Sequence, residues 1–182
     1  VMSHSLLPEG RGMRDYSKQT IPNHTTKQKA SALIAKIVDL LEANGAVEVI
    51  PRRRHGRVTF DFSLMVDGVE VMYRIPVDAE QTQAALRRND KTRKNLSRAQ
   101  LDDLEHAERV CLANTLALLD QTLTHIGMLG DDPDRYLLTW RLSEDGTTTL
   151  FDAIKSGNAL TGFGTPALPG ADDDEMRVGV ED

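Results

Sequence analysis

Apolar and polar residues alternate with a period of two from Val58 to Val66 and again from Val69 to Ile75. Asp67-Gly68 separates the two runs, and a two-residue Asp-Gly turn joins antiparallel strands with a fixed register. That register sets Val66 opposite Val69, Leu64 opposite Val71, Phe62 opposite Tyr73 and Phe60 opposite Ile75, so all the apolar side chains share one face. The other face carries Thr59, Asp61, Ser63 and Met65 against Glu70, Met72 and Arg74, and it holds no aromatic ring. Asp61 falls across from Arg74, a cross-strand ion pair worth about 0.2–1 kcal/mol.

Three- and four-residue spacing takes over elsewhere. Ala30, Leu33, Ile34, Ile37, Val38 and Leu41 mark an amphipathic helix, with Thr25 or Thr26 as N-cap and Asn44-Gly45 as its end. Ala46 to Ile50 reads as a short strand with Val47 and Val49 turned inward. After the hairpin, Asp78 caps a short helix through Leu86, and Asn89 to Asn95 reads as a basic linker. Ser97 then caps the longest helix, Arg98 to Met128. Two neighbouring stripes, one of Leu112, Leu116, Leu119, Leu123 and Ile126 and one of Cys111, Thr115, Leu118 and Thr122, predict burial on two sides. Such a helix is central in its domain or lies in an oligomer interface, so a homo-oligomer is a possible state. Tyr136, Leu138 and Trp140 suggest an extended segment, Glu144-Asp145-Gly146 a turn, and Thr149 the cap of a last helical turn ended by Gly157.

These elements predict an α+β fold: an antiparallel sheet of three or more strands with helices packed on one face and a long central helix. Residues 1–24, punctuated by Pro8, Gly10, Gly12 and Pro22, read as an extended N-terminal arm; 25–157 form a single domain; 158–182 form a disordered acidic tail containing Asp172-Asp173-Asp174-Glu175. Val1 before Met2 reads equally as a literal translation of a GTG start codon or as a residue left by cloning, and Met13 is another candidate start.

Composition narrows the class. The 182 residues are 40% hydrophobic and 4% aromatic, with a single cysteine, Cys111, so neither an intrachain disulfide nor a cysteine-based zinc site can form. No apolar run approaches the roughly 20 residues a membrane helix needs, and a cytoplasmic protein without membrane contact is the expectation. The net charge of −6 conceals an uneven distribution: residues 52–98 carry +5, residues 99–182 carry −12.

The candidate chemistry lies in the basic stretch. Arg52, Arg53, Arg54, His55 and Arg57 crowd what the strand pattern reads as an inter-strand loop, and Arg87, Arg88, Lys91, Arg93, Lys94 and Arg98 extend the positive field. Guanidinium forks match phosphate oxygens, and several together give salt-sensitive affinity for nucleic acid; the plainer alternative is a solvated loop. With no aromatic ring on the exposed sheet face, bases cannot stack there, so backbone contact with little sequence readout is the expected mode for DNA or RNA. The alternative is a protein-interaction subunit or host-directed inhibitor that acts through the acidic helix start, Asp102 to Glu108, and the acidic tail. Asp102, Asp103 and His106 have spacing that can hold a metal on one helix face, but no second cluster accompanies them. No nucleophile elbow, phosphate loop or dinucleotide fingerprint appears. A non-enzymatic protein without a cofactor or catalytic residues is therefore expected.

The order helix, three antiparallel strands, helix over about 26–128 is similar to the double-stranded RNA-binding domain. That resemblance implies a minor-groove role for His55 in the inter-strand loop and a phosphate grip by Lys91, Arg93, Lys94 and Arg98. The Lys-Lys-x-Ala-Lys signature of that family is absent, a helix near 78–88 intervenes, and the final helix is about twice the family's length. The chain also resembles small proteins encoded by phages and other mobile elements, in its Tyr16-Ser17-Lys18-Gln19-Thr20-Ile21-Pro22 opening, the Asn44-Gly45-Ala46 helix end and the element from Asp145-Gly146-Thr147 to Phe151. This second likeness implies a genomic setting and no mechanism.

Overall fold

The computed structural model describes residues 19–54 and 57–157. It is an α+β fold with a three-stranded antiparallel sheet in the order β1-β2-β3, formed by Glu48–Arg54, Arg57–Val66 and Val69–Val77. The hairpin register is the one the Asp-Gly turn dictates: Val66 pairs with Val69, Leu64 with Val71, Phe62 with Tyr73 and Phe60 with Ile75. Asp67 and Gly68 both take positive φ, 50° and 79°, as the tight turn requires. Phe60, Phe62 and Tyr73 are fully buried, and the Phe62 and Tyr73 rings stack at 5.3 Å.

Helix α1 (Ala30–Ala43) and the long α5 (Leu104–Leu129) cover that face, and α2 (Ala79–Arg88) packs against α5. Leu33, Ile37 and Leu41 of α1 meet Leu112, Leu119 and Leu123 of α5 over the sheet, while Val110 and Ala107 of α5 pack with Leu86 of α2 and with Leu96. α5 packs against α1 on one flank and α2 on the other, but the expected burial on two sides is only partial: of the second stripe, Cys111, Thr115 and Thr122 are half-buried and Leu118 is exposed. Gly130 ends α5 in the left-handed conformation, φ 63°.

Several local readings change. Neither Thr25 nor Thr26 caps α1; Lys29 holds the N-cap position and makes no side-chain bond there. The segment read as a basic linker contains a helical turn, α3 (Asp90–Lys94), because the Asn89 side chain accepts from the Thr92 amide and caps it. Ser97 does cap a helix, through a reciprocal capping box with Gln100, but only the one-turn α4 (Arg98–Asp102). The chain then leaves helical geometry at Asp103 (φ −83°, ψ 111°), whose carboxylate accepts from the Glu105 amide and starts α5 afresh. Tyr136 to Trp140 are helical, α6 (Asp134–Leu137) followed by a 3-10 turn, instead of extended. The extended segment comes next, where the Leu142 amide donates to the Met72 carbonyl on the edge of β3. Thr149 caps α7 (Leu150–Lys155), as its spacing predicts.

Residues 19–24, assigned from sequence to the arm, are tied to the domain. The Ile21 amide donates to Thr92 Oγ1 at 2.8 Å, Asn89 Nδ2 to the Gln19 carbonyl at 2.8 Å, and Asn114 Nδ2 to the Pro22 carbonyl at 3.1 Å. The readings of residues 1–18 and 158–182 lie outside the described residues. No helix among the described residues is long and apolar enough to cross a membrane.

Candidate nucleic-acid interface

The basic inter-strand loop expected from sequence is mostly strand. β1 continues through Pro51 to Arg54, and β2 begins at Arg57, which leaves only His55 and Gly56 between them, outside the described residues. Pro51 is tolerated because β1 is an edge strand, where a missing N–H costs no ladder bond on the open side. Val47, expected inward, lies outside the strand and is exposed.

Strand geometry then separates the arginines. Successive side chains point to opposite faces, so Arg52 and Arg53 part company. Arg52 Nε donates to Asp61 Oδ2 at 2.9 Å on the open face, where Arg74 also grips Asp61 from the other side through Nε at 2.7 Å and Nη2 at 2.8 Å. The Asp61–Arg74 pair predicted from the register is present, and a second arginine completes it. Burial alone would raise the Asp61 carboxyl, but the hydrogen bonds and charge of Arg74, then of Arg52, hold it below the usual carboxylate range. Arg53, on the helix-covered face, makes a two-pronged bond to Glu108 of α5. Of Arg54 the backbone alone is described, paired with Arg57.

The other candidates are exposed and mostly paired. Arg57 reaches Glu80 at 3.2 Å, Arg87 reaches Asp102 at 2.9 Å, Arg93 reaches Asp90 at 3.0 Å and Arg98 lies 3.8 Å from Asp102. Arg88 donates to the Ala84 carbonyl within its own helix. Lys91 and Lys94 have no carboxylate partner among the described residues. These pairs engage the acidic helix start as well: Asp102 serves two arginines, Asp103 caps α5 and lies 3.4 Å from Arg109, and Glu108 holds Arg53, while Glu105 stays exposed. The uneven charge of the linear sequence is thus partly cancelled in space among the described residues.

What sequence reasoning missed is a groove. It encloses about 690 Å³ between the N-terminal end of α1, the end of β1 and the start of α5. Lys27, Lys29, Arg53 and Arg109 line it together with Glu105 and Glu108, a net excess of two positive charges from three distant segments. His106 forms part of its wall and is 2% exposed. Its Nε2 lies 2.9 Å from the His24 carbonyl, and since a carbonyl only accepts, Nε2 carries the hydrogen. Among the described residues no three His, Cys, Asp or Glu side chains come together as a metal site, so Asp102, Asp103 and His106 do not form one.

The aromatic side chains offer no stacking platform on the sheet: Phe60, Phe62 and Tyr73 are fully buried, and Trp140 packs against the core. Tyr73 OH donates to Asp134 Oδ1 at 2.6 Å; burial, then that carboxylate, raises the phenol well above its usual range. Cys111, partly buried beside Thr82, has its thiol pushed up by burial, the opposite of an activated nucleophile. Comparison with protein-family models, with curated protein sequences and with solved structures finds no match for this chain.

Proposed function

We propose that this protein is a non-enzymatic nucleic-acid-binding accessory protein that grips the phosphate backbone. The observation that supports it is the band of short helices α2, α3 and α4, on which Arg87, Arg88, Lys91, Arg93, Lys94 and Arg98 are all exposed. Residues 79–102 carry six basic against three acidic side chains, a local excess of +3. The pairs to Asp90 and Asp102 do not close this surface. Exposed ion pairs are worth roughly 0–1 kcal/mol, so a phosphate can exchange for a carboxylate at small cost. With no aromatic ring available on the sheet, the mode is electrostatic and tolerant of sequence.

The experiment is fluorescence anisotropy of labelled duplex and single-stranded oligonucleotides at about 50 and 200 mM salt. Replacing Lys91, Lys94 and Arg98 together by alanine removes three exposed cations and no buried contact. The expected result is salt-dependent binding, with the logarithmic salt slope reduced by about 3 in the triple variant. Affinity indifferent to salt, or to the triple replacement, overturns the reading. Arg52 and Arg53 are unsuitable test positions, because each supports a buried carboxylate and its loss perturbs the fold.

A further inference from the structure

We infer that the open face of the sheet, turned away from α1 and α5, is a docking surface for a second copy of this chain, giving a two-fold symmetric dimer. Such a dimer is independent of the proposed function. The order of side chains along the two outer strands leads to it. β1 and β3 both pair antiparallel with β2 and therefore run in the same direction. On the open face β1 presents Glu48, Ile50 and Arg52 in turn, and β3 presents Glu70, Met72 and Arg74. Each strand reads acid, apolar, arginine, with the two charges about 13 Å apart. The face is thus acidic toward the hairpin turn and basic at the opposite end, where Arg57 of β2 adds a further cation. A two-fold axis lying in the interface and across the strands reverses strand direction. It lays the acidic half of one copy over the basic half of the other, twice, with Ile50 and Met72 beside the axis. An isologous interface needs this self-complementarity. Nucleic acid, or a partner of one sign of charge, would meet like charge at one end.

The groups needed are free to pair. Glu48, Met65 and Glu70 are exposed, and neither glutamate has a cationic partner among the described residues. A guanidinium carries five donors; Arg52 spends one on Asp61 and Arg74 two, so each keeps N–H groups for a second carboxylate. A separate observation, independent of charge, marks the face as incomplete in one copy. Ser63 Oγ, at its centre, is buried with no hydrogen-bond partner among the described residues, whereas buried hydroxyls are nearly always bonded. Its neighbours across the strands are Glu48 and Met72, side chains that a second copy would rearrange. The same axis lays Ser63 of each copy over Asp61 of the other, a hydroxyl without a partner over a carboxylate that has accepted three of about four hydrogen bonds. Three strands about 4.8 Å apart make a face below the roughly 800 Å² per partner of a standard interface, so the dimer is reversible, with a dissociation constant of about 10–100 μM.

The test is sedimentation equilibrium of the full, nuclease-treated chain from about 5 to 500 μM, a range that brackets a weak interface. A reversible monomer–dimer equilibrium is expected. Glu48→Lys combined with Glu70→Lys places cations over the arginines of the other copy and should weaken the dimer at least about tenfold. The same change moves the net charge from −6 toward zero, so general repulsion between copies falls and cannot account for the loss. Glu48→Gln with Glu70→Gln, a milder pair at the same exposed positions, should weaken it about threefold and keeps the test open if the lysine variant fails to fold. Leu118→Lys, at an exposed apolar position on α5, should leave the dimer unchanged. A chain that stays monomeric over the whole range overturns the inference. So does a dimer indifferent to both glutamate pairs, or one dissolved by Leu118→Lys, which would assign the contact to the helices instead.

Discussion

Replacing Asp61 by asparagine removes one negative charge from between two arginines and changes the side-chain shape little. Asp61 is 2% exposed and accepts three charge-assisted hydrogen bonds, two from Arg74 and one from Arg52. Removing one member of a buried pair costs about 3–5 kcal/mol, since the remaining charge is left without its partner. Here the Arg74 side chain retains 28% of its exposure and Arg52 43%, so water solvates part of both guanidiniums. Asparagine also keeps one acceptor oxygen. The expected loss is therefore below that range, about 2 kcal/mol at pH 7. The pH dependence supplies a second readout. Because the folded-state carboxyl of Asp61 titrates below its unfolded value, its contribution is complete above the unfolded pKa, about 3.9, and is lost as pH falls through the folded value. Urea unfolding of the wild type and Asp61→Asn at pH 7 and at successive values below pH 4 should show the difference between them shrinking toward zero. A difference under about 0.5 kcal/mol at pH 7, or one that persists unchanged in acid, refutes the assignment of Asp61 as the charged centre of the open sheet face.

Two further outcomes follow from other buried contacts. Glu108→Gln keeps the shape of the contact to Arg53 but removes the charge of a side chain that is 7% exposed; it should cost about 1–2 kcal/mol in urea unfolding, whereas replacing both partners by methionine should cost less than the single change. A single and a double variant of equal stability would sink that account. Tyr73→Phe deletes a buried hydroxyl bonded to Asp134, while Asp134 retains Arg141, so a loss of about 1–2 kcal/mol is expected with the stacked ring pair intact; no change in stability would mean the hydroxyl gains nothing over its contact with water.

The legibility of the fold varied with the distance over which each element is determined. The hairpin register is a local consequence of a two-residue turn and a period of two, and every pair it implies is present. The same holds for α1, whose apolar spacing is regular, and for the caps at Asp78, Ser97 and Thr149, each of which bonds the amide its position requires. β1 was harder to read. Its second half, Pro-Arg-Arg-Arg, lacks alternation because Arg53 occupies an inward position that an apolar residue would normally fill, with Glu108 of α5 as its counterpart 55 residues away. The interruption at Asp103 was equally hidden, since Asp102 and Asp103 suit a continuous charged helix face as well as a new cap.

The candidate interface divides in the same manner. Composition and order identified the basic stretch from Arg52 to Arg98 without reference to folding, because a cluster of cations along a short length of chain is positive in almost any conformation. Which of them face solvent and which hold carboxylates was decided by the tertiary structure. Strand alternation sends Arg52 and Arg53 to opposite sides of the sheet, and the docking of α4 and α5 delivers Asp102 and Glu108 to their partners. The groove could not be read from the sequence at all. Lys27, Lys29, Arg53 and Arg109 meet only because α1 and α5 pack on the same face of the sheet, with the start of each helix beside the end of β1. Hydrophobic periodicity fixes which face of each element is buried; the location of charges relative to one another depends on how those faces are stacked, and that information is distributed over the whole core.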